Sequence, residues 1–165
     1  MKGTSPSCWA SSRIARATLF SLLLLPWLRA QDNQPLRVAP LGKLRVARGE
    51  RAEFPLRIEL KAGYHVKSHL PGEATFVPLR LTWEKRPFRV VEVRYPKPSL
   101  RRYAFSDRPL SVLSGAFEIA TVLEAPRDAP RGPGVLLGWL RFQACTAALC
   151  LPPRTLEVRL PYEIR

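Results

Sequence analysis

A chain of 165 residues with a net charge of +14 is long enough for one domain with its own hydrophobic core. Its arginines stand singly among apolar residues, as in RLTWEKRPFRV (80–90), which argues against the clustered basic stripe of a nucleic-acid surface and for solvated strand faces. Only one apolar run, near the N-terminus, approaches membrane length, so no membrane-spanning helix is expected in the mature chain.

Residues 1–30 carry Lys2, Arg13 and Arg16, then the apolar run ATLFSLLLLPWL (17–28), then Arg29-Ala30. A basic start, an apolar stretch of about a dozen residues and a small residue at the cut describe a secretory signal peptide ending near Ala30. An uncleaved anchor is the alternative, because Leu28 rather than a small residue stands at the −3 position. Cys8 lies ahead of the apolar run, outside any lipidation pattern. Cleavage leaves 23 Lys and Arg against 13 acids, a charge of +10, and two cysteines, Cys145 and Cys150. Export places that pair in an oxidising compartment, where a disulfide persists.

The segment 31–42 reads as a flexible lead-in and 43–165 as the folded domain. In EFPLRIEL (53–60), Phe54, Leu56, Ile58 and Leu60 alternate with Arg57 and Glu59. Leu79, Leu81 and Trp83 repeat the pattern, as do Val91, Val93 and Tyr95, and then Leu156, Val158 and Leu160. Period-two alternation marks half-buried strands, and Pro and Gly interrupt the chain too often for helices. Seven to nine strands are expected, in an all-β, immunoglobulin-like two-sheet sandwich. Residues 96–110 are too proline-rich for a central strand and predict a long loop carrying Tyr103 and Phe105. Residues 124–134 predict an exposed connection.

A strand over 135–144 and another over 154–164 flank QACTAALCLPP (143–153). This predicts a hairpin with Cys145 and Cys150 at facing strand ends, a separation that a disulfide spans. Such a bond closes a short loop, worth ~2 kcal/mol on the chain-entropy model, and an accessible tip favours thiol exchange. A structural staple remains the competing reading. A zinc site with His65 and His69 is disfavoured, since residues four apart on a strand lie about 13 Å apart. Soft-metal capture, copper for instance, by the reduced pair fits better, and a Cys–His hydrolase fits poorly because the second cysteine would compete.

The run Phe142, Gln143, Ala144, Cys145, Cys150, Leu151, Pro152, Pro153 resembles the cysteine hairpin of the N-terminal periplasmic domain of DsbD-type thiol:disulfide interchange proteins. KAGYHVKS (61–68) resembles that family's Gly-aromatic-His/Tyr-aliphatic segment. VRYPKPSLRRYAFSDRPLSVLSG (93–115) resembles its strand, cap loop and strand. The three matches span roughly residues 45–160.

The resemblance implies an immunoglobulin-like sandwich whose cysteine pair takes electrons from a thioredoxin-like domain. It implies passage of those electrons, through mixed disulfides, to periplasmic disulfide isomerases or cytochrome-maturation thioredoxins, without a cofactor. Cys150 is expected to form the mixed disulfide and Cys145 to resolve it. Phe105 falls at the cap-loop aromatic that shields the sulfurs, and Tyr103 and Ala104 replace the acidic residues that often precede it. His65 falls where a side chain faces the cysteines, suited to sharing a proton with a thiolate, and Lys67, two residues on, shares its face and adds positive potential. The family's full-length members continue into a membrane domain and a thioredoxin-like domain; this chain ends at Arg165, and its electrons are expected from a separate protein. The alternative is a non-catalytic binding module with a static disulfide.

Overall fold

The computed structural model describes residues 34–71, 76–104 and 106–165. The leader 1–30, the start of the lead-in and Phe105 lie outside the described residues. Twelve strands appear among the described residues, and no helix: β1 (Leu36–Val38), β2 (Leu44–Val46), β3 (Arg51–Leu60), β4 (His65–Lys67), β5 (Arg80–Trp83), β6 (Arg89–Arg94), β7 (Ser99–Arg101), β8 (Leu110–Ser114), β9 (Ala116–Glu124), β10 (Gly132–Phe142), β11 (Ala144–Cys145) and β12 (Arg154–Ile164).

Two four-stranded sheets, ordered β1-β3-β9-β6 and β2-β12-β10-β5, form the sandwich. The alternation read from the sequence is the reason. Phe54, Leu56, Ile58 and Leu60 on β3 point inward while the residues between them are exposed. Leu81 and Trp83 on β5, Leu136 and Leu140 on β10, and Val158 and Leu160 on β12 join them in one continuous core. Trp83 ties the two sheets together. Its ring meets Phe54 edge-on at 6.5 Å, and its indole N–H donates to Thr121 Oγ1 on β9 at 3.2 Å, giving a fully buried hydroxyl its partner. Gly138 lies opposite Trp83 in the β10–β5 ladder, and a Cβ there would sit 2.6 Å from the indole, so the close approach requires glycine.

A third sheet, ordered β11-β4-β8-β7, adds to the expected two and raises the strand count above seven to nine. It grows out of the first. The β3–β9 ladder runs to Glu59↔Ala116, both chains then turn at residues with positive φ, Gly63 (+84°) and Gly115 (+68°), and pairing resumes as β4–β8 at His65↔Ser114. The strands of this sheet have two to five residues, too short to show a period.

Other expectations are corrected. Within the supposed flexible lead-in 31–42, Leu36–Val38 forms β1, paired antiparallel to β3, with Leu36 buried in the core, so the folded unit begins before residue 43. The 96–110 segment is indeed no central strand, but it contributes β7 at the edge of the third sheet. In the 124–134 connection Ala125 and Ala129 are buried, and β10 already begins at Gly132. Val91 is exposed, because a bulge between Val90 and Glu92 shifts the β6–β9 register and turns Val90 and Val93 toward the core instead.

Candidate functional site

The strands β10 and β12 pair over their whole length, from Gly132↔Ile164 to Phe142↔Arg154. Past that last pair the chain makes the tip that holds the cysteines. Leu151 N–H donates to Ala144 O at 2.9 Å, the Gln143 side-chain amide donates to Leu151 O at 3.0 Å, and Thr146 N–H donates to Leu149 O at 2.8 Å. The Thr146 hydroxyl also accepts from Ala148 N–H and Leu149 N–H. Gln143 is thus a clamp on the tip. Cys145 and Cys150 face each other across it and form a disulfide, with their Cα atoms 4.0 Å apart.

Cys145 also belongs to β11, which leaves the β10–β12 sheet and pairs with β4 in the register Cys145↔His65. The hairpin tip and the third sheet therefore meet at one end of the sandwich. Residues opposite each other in a ladder share a face, so Cys145 shares one with His65 and, two residues on, with Lys67. Val66, between them, points into the core with Leu113. All three residues of β4 are buried, including the two polar ones.

Lys67 reaches the sulfurs. Its side chain is fully buried, with Nζ 3.4 Å from Cys145 Sγ and 4.0 Å from Cys150 Sγ, and 4.9 Å from the centre of the Phe76 ring. Desolvation lowers its pKa from the ordinary lysine value. His65 stands opposite Cys145 on the same strand as Lys67. Its ring stacks on Tyr103 at 4.2 Å, it is 4% exposed, and its Nε2 is buried with no hydrogen-bond partner. Burial first, and the charge of Lys67 second, lower its pKa to about 4, so at neutral pH the imidazole is uncharged. Burial raises the Tyr103 pKa, and Arg101 partly offsets the effect.

The two sulfurs differ in setting. Cys145 is completely buried, whereas Cys150 is exposed, next to the exposed Leu149. The structure thus brings Cys145, Cys150, His65, Lys67, Tyr103 and Gln143 to one end of the sandwich, while the expected cap aromatic Phe105 lies outside the described residues. Phe76 went unforeseen: nothing local in TFVPLRL (75–81) signals that its ring lies against a lysine from another strand. The two histidines do not converge, since His69 stacks on Tyr95 rather than joining His65. Among the described residues no three His, Cys, Asp or Glu side chains gather as a metal centre would need, and no helix is long and apolar enough to cross a membrane.

No protein-family model matches the chain, and no curated protein matches its sequence. Solved structures do match its fold. The N-terminal periplasmic domain of ScsB from Proteus mirabilis superposes with a TM-score of 0.55 at 18% identity, over 82% of this chain and 49% of that one. This chain therefore spans about half the length of that structure. A chain of the Coh-OlpA-Doc918 cohesin–dockerin complex from Clostridium thermocellum gives a TM-score of 0.44 at 14% identity, covering 80% of this chain and 100% of that one, too distant to bear on the site. The all-β sandwich expected from the alternation, and from the DsbD-type resemblance, is the fold observed.

Proposed function

We propose that this protein is an exported thiol–disulfide exchange module that relays reducing equivalents between thioredoxin-like partners through Cys145 and Cys150. One observation carries the reading: the disulfide joins a buried sulfur to an exposed residue at the tip of a hairpin that is already held without it. Backbone and Gln143 hydrogen bonds fix the tip, and the bond closes a loop with a sequence separation of 5. Its entropic contribution is ~2 kcal/mol, at the low end for disulfides. A staple would be better placed between the two large sheets. The DsbD-type hairpin motif and a fold shared with a periplasmic domain support the same reading.

Exchange starts when a partner thiolate attacks Sγ of Cys150. A sulfur–sulfur bond forms to the partner, the Cys145–Cys150 bond breaks, and its electron pair leaves on Cys145. The partner's second thiolate then attacks the partner's own sulfur in the mixed disulfide and expels Cys150. The partner ends oxidised and this protein ends as the dithiol. Delivery to the next partner runs the same steps backwards: Cys150 attacks and Cys145 resolves. Acceptors of the isomerase or cytochrome-maturation class fit this direction of flow.

A Cys145→Ser variant retains the attacking sulfur without the resolving one, and is expected to accumulate a mixed disulfide with an oxidised thioredoxin-like partner; Cys150→Ser should form none and transfer nothing. A double Cys→Ser variant that still reduced the partner would sink the proposal. A disulfide left intact by glutathione and dithiothreitol buffers would instead make the pair a static staple in a binding module.

A further inference from the structure

The outer faces of the two large sheets treat their arginines differently. On the face of β3, β9 and β6, Arg51, Arg57, Arg89 and Arg94 each meet a glutamate. On the outer face of the other sheet, two arginines meet each other. Arg141 on β10 and Arg80 on β5 are direct partners in the antiparallel ladder, and both are exposed. Like charges directly opposite one another cost stability. Among the described residues neither arginine has an ion-pair partner. The acids on the same face are already engaged. Glu157, opposite Trp139, is held by Arg159 at 2.9 Å, and Glu84, just past β5, accepts from Leu137 N–H.

This pair sits at the disulfide end of its sheet. Arg141 precedes Cys145 by four residues, so at ~3.3 Å per residue the two backbones lie within roughly 13 Å. The last rung of the β10–β12 ladder is Phe142↔Arg154, which sets a third exposed arginine, also without an ion pair, at the base of the tip. From Phe142 to Leu156 the chain carries no acid. A molecule that reaches the exposed Cys150 therefore arrives beside positive charge that nothing on the protein neutralises.

We propose that Arg80 and Arg141 form a docking face for an acidic partner, one that carries carboxylates beside the sulfur that exchanges with Cys150. The inference rests on the exchange reading above and adds the chemistry of the partner to it. Charge complementarity carries it. A guanidinium takes a carboxylate through two parallel hydrogen bonds, and a carboxylate lying between two guanidiniums removes the repulsion that the free protein retains. Trp139, next along β10 on the same face and 38% exposed, supplies a flat apolar surface beside the charges, the aromatic-plus-arginine combination that protein interfaces favour. Complementary charge also steers encounter, and so raises the rate at which the right partner arrives.

The test needs no protein partner. In a Cys8→Ser, Cys145→Ser variant Cys150 is the sole cysteine. Its thiolate attacks an aromatic disulfide, a bond forms to Cys150, and the electron pair leaves on a coloured aryl thiolate that reports the rate. Two reagents are compared: dithiobis(nitrobenzoate), with two carboxylates, and dithiodipyridine, with none. The ratio of their rates cancels any change in the reactivity of Cys150 itself. At about 0.01 M salt, where the Debye length is ~30 Å, Arg80→Gln with Arg141→Gln should lower the anionic-to-neutral ratio about threefold, and at about 1 M salt the difference should vanish. Both side chains are exposed, so folding is retained and checked by circular dichroism. Lysine at both positions should keep the ratio high. Arg51→Gln with Arg57→Gln removes the same net charge from the far face and should leave the ratio where it was. An unmoved ratio in the Arg80, Arg141 double variant, or an equal fall in the far-face variant, would overturn the inference. Binding to phosphatidylglycerol vesicles that depends on both arginines, with the ratio unmoved, would assign the face to a lipid surface and overturn it too. Absence of a mixed disulfide with a thioredoxin-like protein would overturn the relay alone, because neither reagent is a protein.

Discussion

Strands β3 and β4 lie on one run of chain, separated by the Gly63 turn, and obey opposite rules. Over its inner residues β3 alternates strictly, buried and exposed, and its outward arginines and glutamates stay in water. On β4 all three residues are buried, two of them polar. The difference is whether the second face of the sheet meets solvent. Behind β3 it does, so charge there is cheap and nearly irrelevant to stability. Behind β4 the face is covered by Tyr103 and Phe76, brought in from distant parts of the chain, and the disulfide closes its edge. A polar group on β4 has lost its water and must justify its place through a neighbour. The sandwich built from strands like β3 is a scaffold; the small sheet built on β4 holds the buried polar side chains and, on the proposed exchange reading, the chemistry.

The largest effect expected from breaking this contrast lies on the scaffold side. Leu136 is fully buried in the centre of β10. Leu136→Ala should cost roughly 3–5 kcal/mol in denaturant-induced unfolding, because the rigid sandwich leaves a cavity where the side chain was. The rate at which dithiothreitol opens the disulfide in the folded protein should stay unchanged, since Leu136 touches neither sulfur. A parallel drop in exchange rate would mean that site and scaffold are not separable.

A pH titration tests the covered face itself. His65 binds a proton below about pH 4 in the folded protein and at about 6.5 in the unfolded chain. Above pH 6.5 the imidazole is neutral in both states and costs nothing. As pH falls from 6.5 toward 4, the unfolded chain takes up a proton that the folded protein refuses, and stability drops by roughly 3 kcal/mol in total. His65→Phe keeps a ring to stack on Tyr103 and removes the titrating group. Its stability should be flat across the same window when unfolding is measured at stepped pH. An equally steep fall in the variant would move the acid sensitivity elsewhere.

The contrast also marks what could be read in advance. β3, β5 and β12 were legible because each has a wet face and a dry one, and that asymmetry is written as alternation. The cysteine hairpin was legible because its residues are local in sequence. The third sheet was not, because strands of two to five residues carry no period and their cover comes from residues far along the chain. The same cause hides the depth of the site residues. His65 stood out as the side chain suited to handle a proton, and Lys67 as an addition to the local potential. Burial adds what neither residue shows locally, leaving the histidine neutral at pH 7 and placing the lysine against the sulfurs. Depth is a tertiary property, and a lysine gives no local sign of it. The bulge that exposes Val91 had no local sign either, since VVEV reads equally well in either register.

Between these extremes lies the polar link inside the main core. Trp83→Phe removes the indole N–H from Thr121, whose side chain is fully buried, and leaves that hydroxyl without the donor it had. It also removes the part of the ring that covers Gly138. A loss of about 1–2 kcal/mol is expected, and Thr121→Val in the same background should recover part of it, because an apolar group replaces the orphaned one. Absence of any recovery would mean that the cost is lost packing alone.

The smallest effect belongs to the outer face of β3, where charge is most abundant. Arg57 and Glu118 are opposite each other in the β3–β9 ladder and joined at 2.6 Å, Arg51 and Arg89 share Glu124, and Arg94 pairs with Glu53. Each of these bases thus has an acidic neighbour on this face. Each pair is nonetheless wet, with the Arg57 side chain 71% exposed. Exposed pairs contribute little, since water screens the attraction and ordering two long side chains costs entropy. Arg57→Ala should therefore change stability by less than about 0.5 kcal/mol, and that small change should vanish at high salt. A loss of several kcal/mol would show that this face is covered by something in solution, and that β3, like β4, has no wet side.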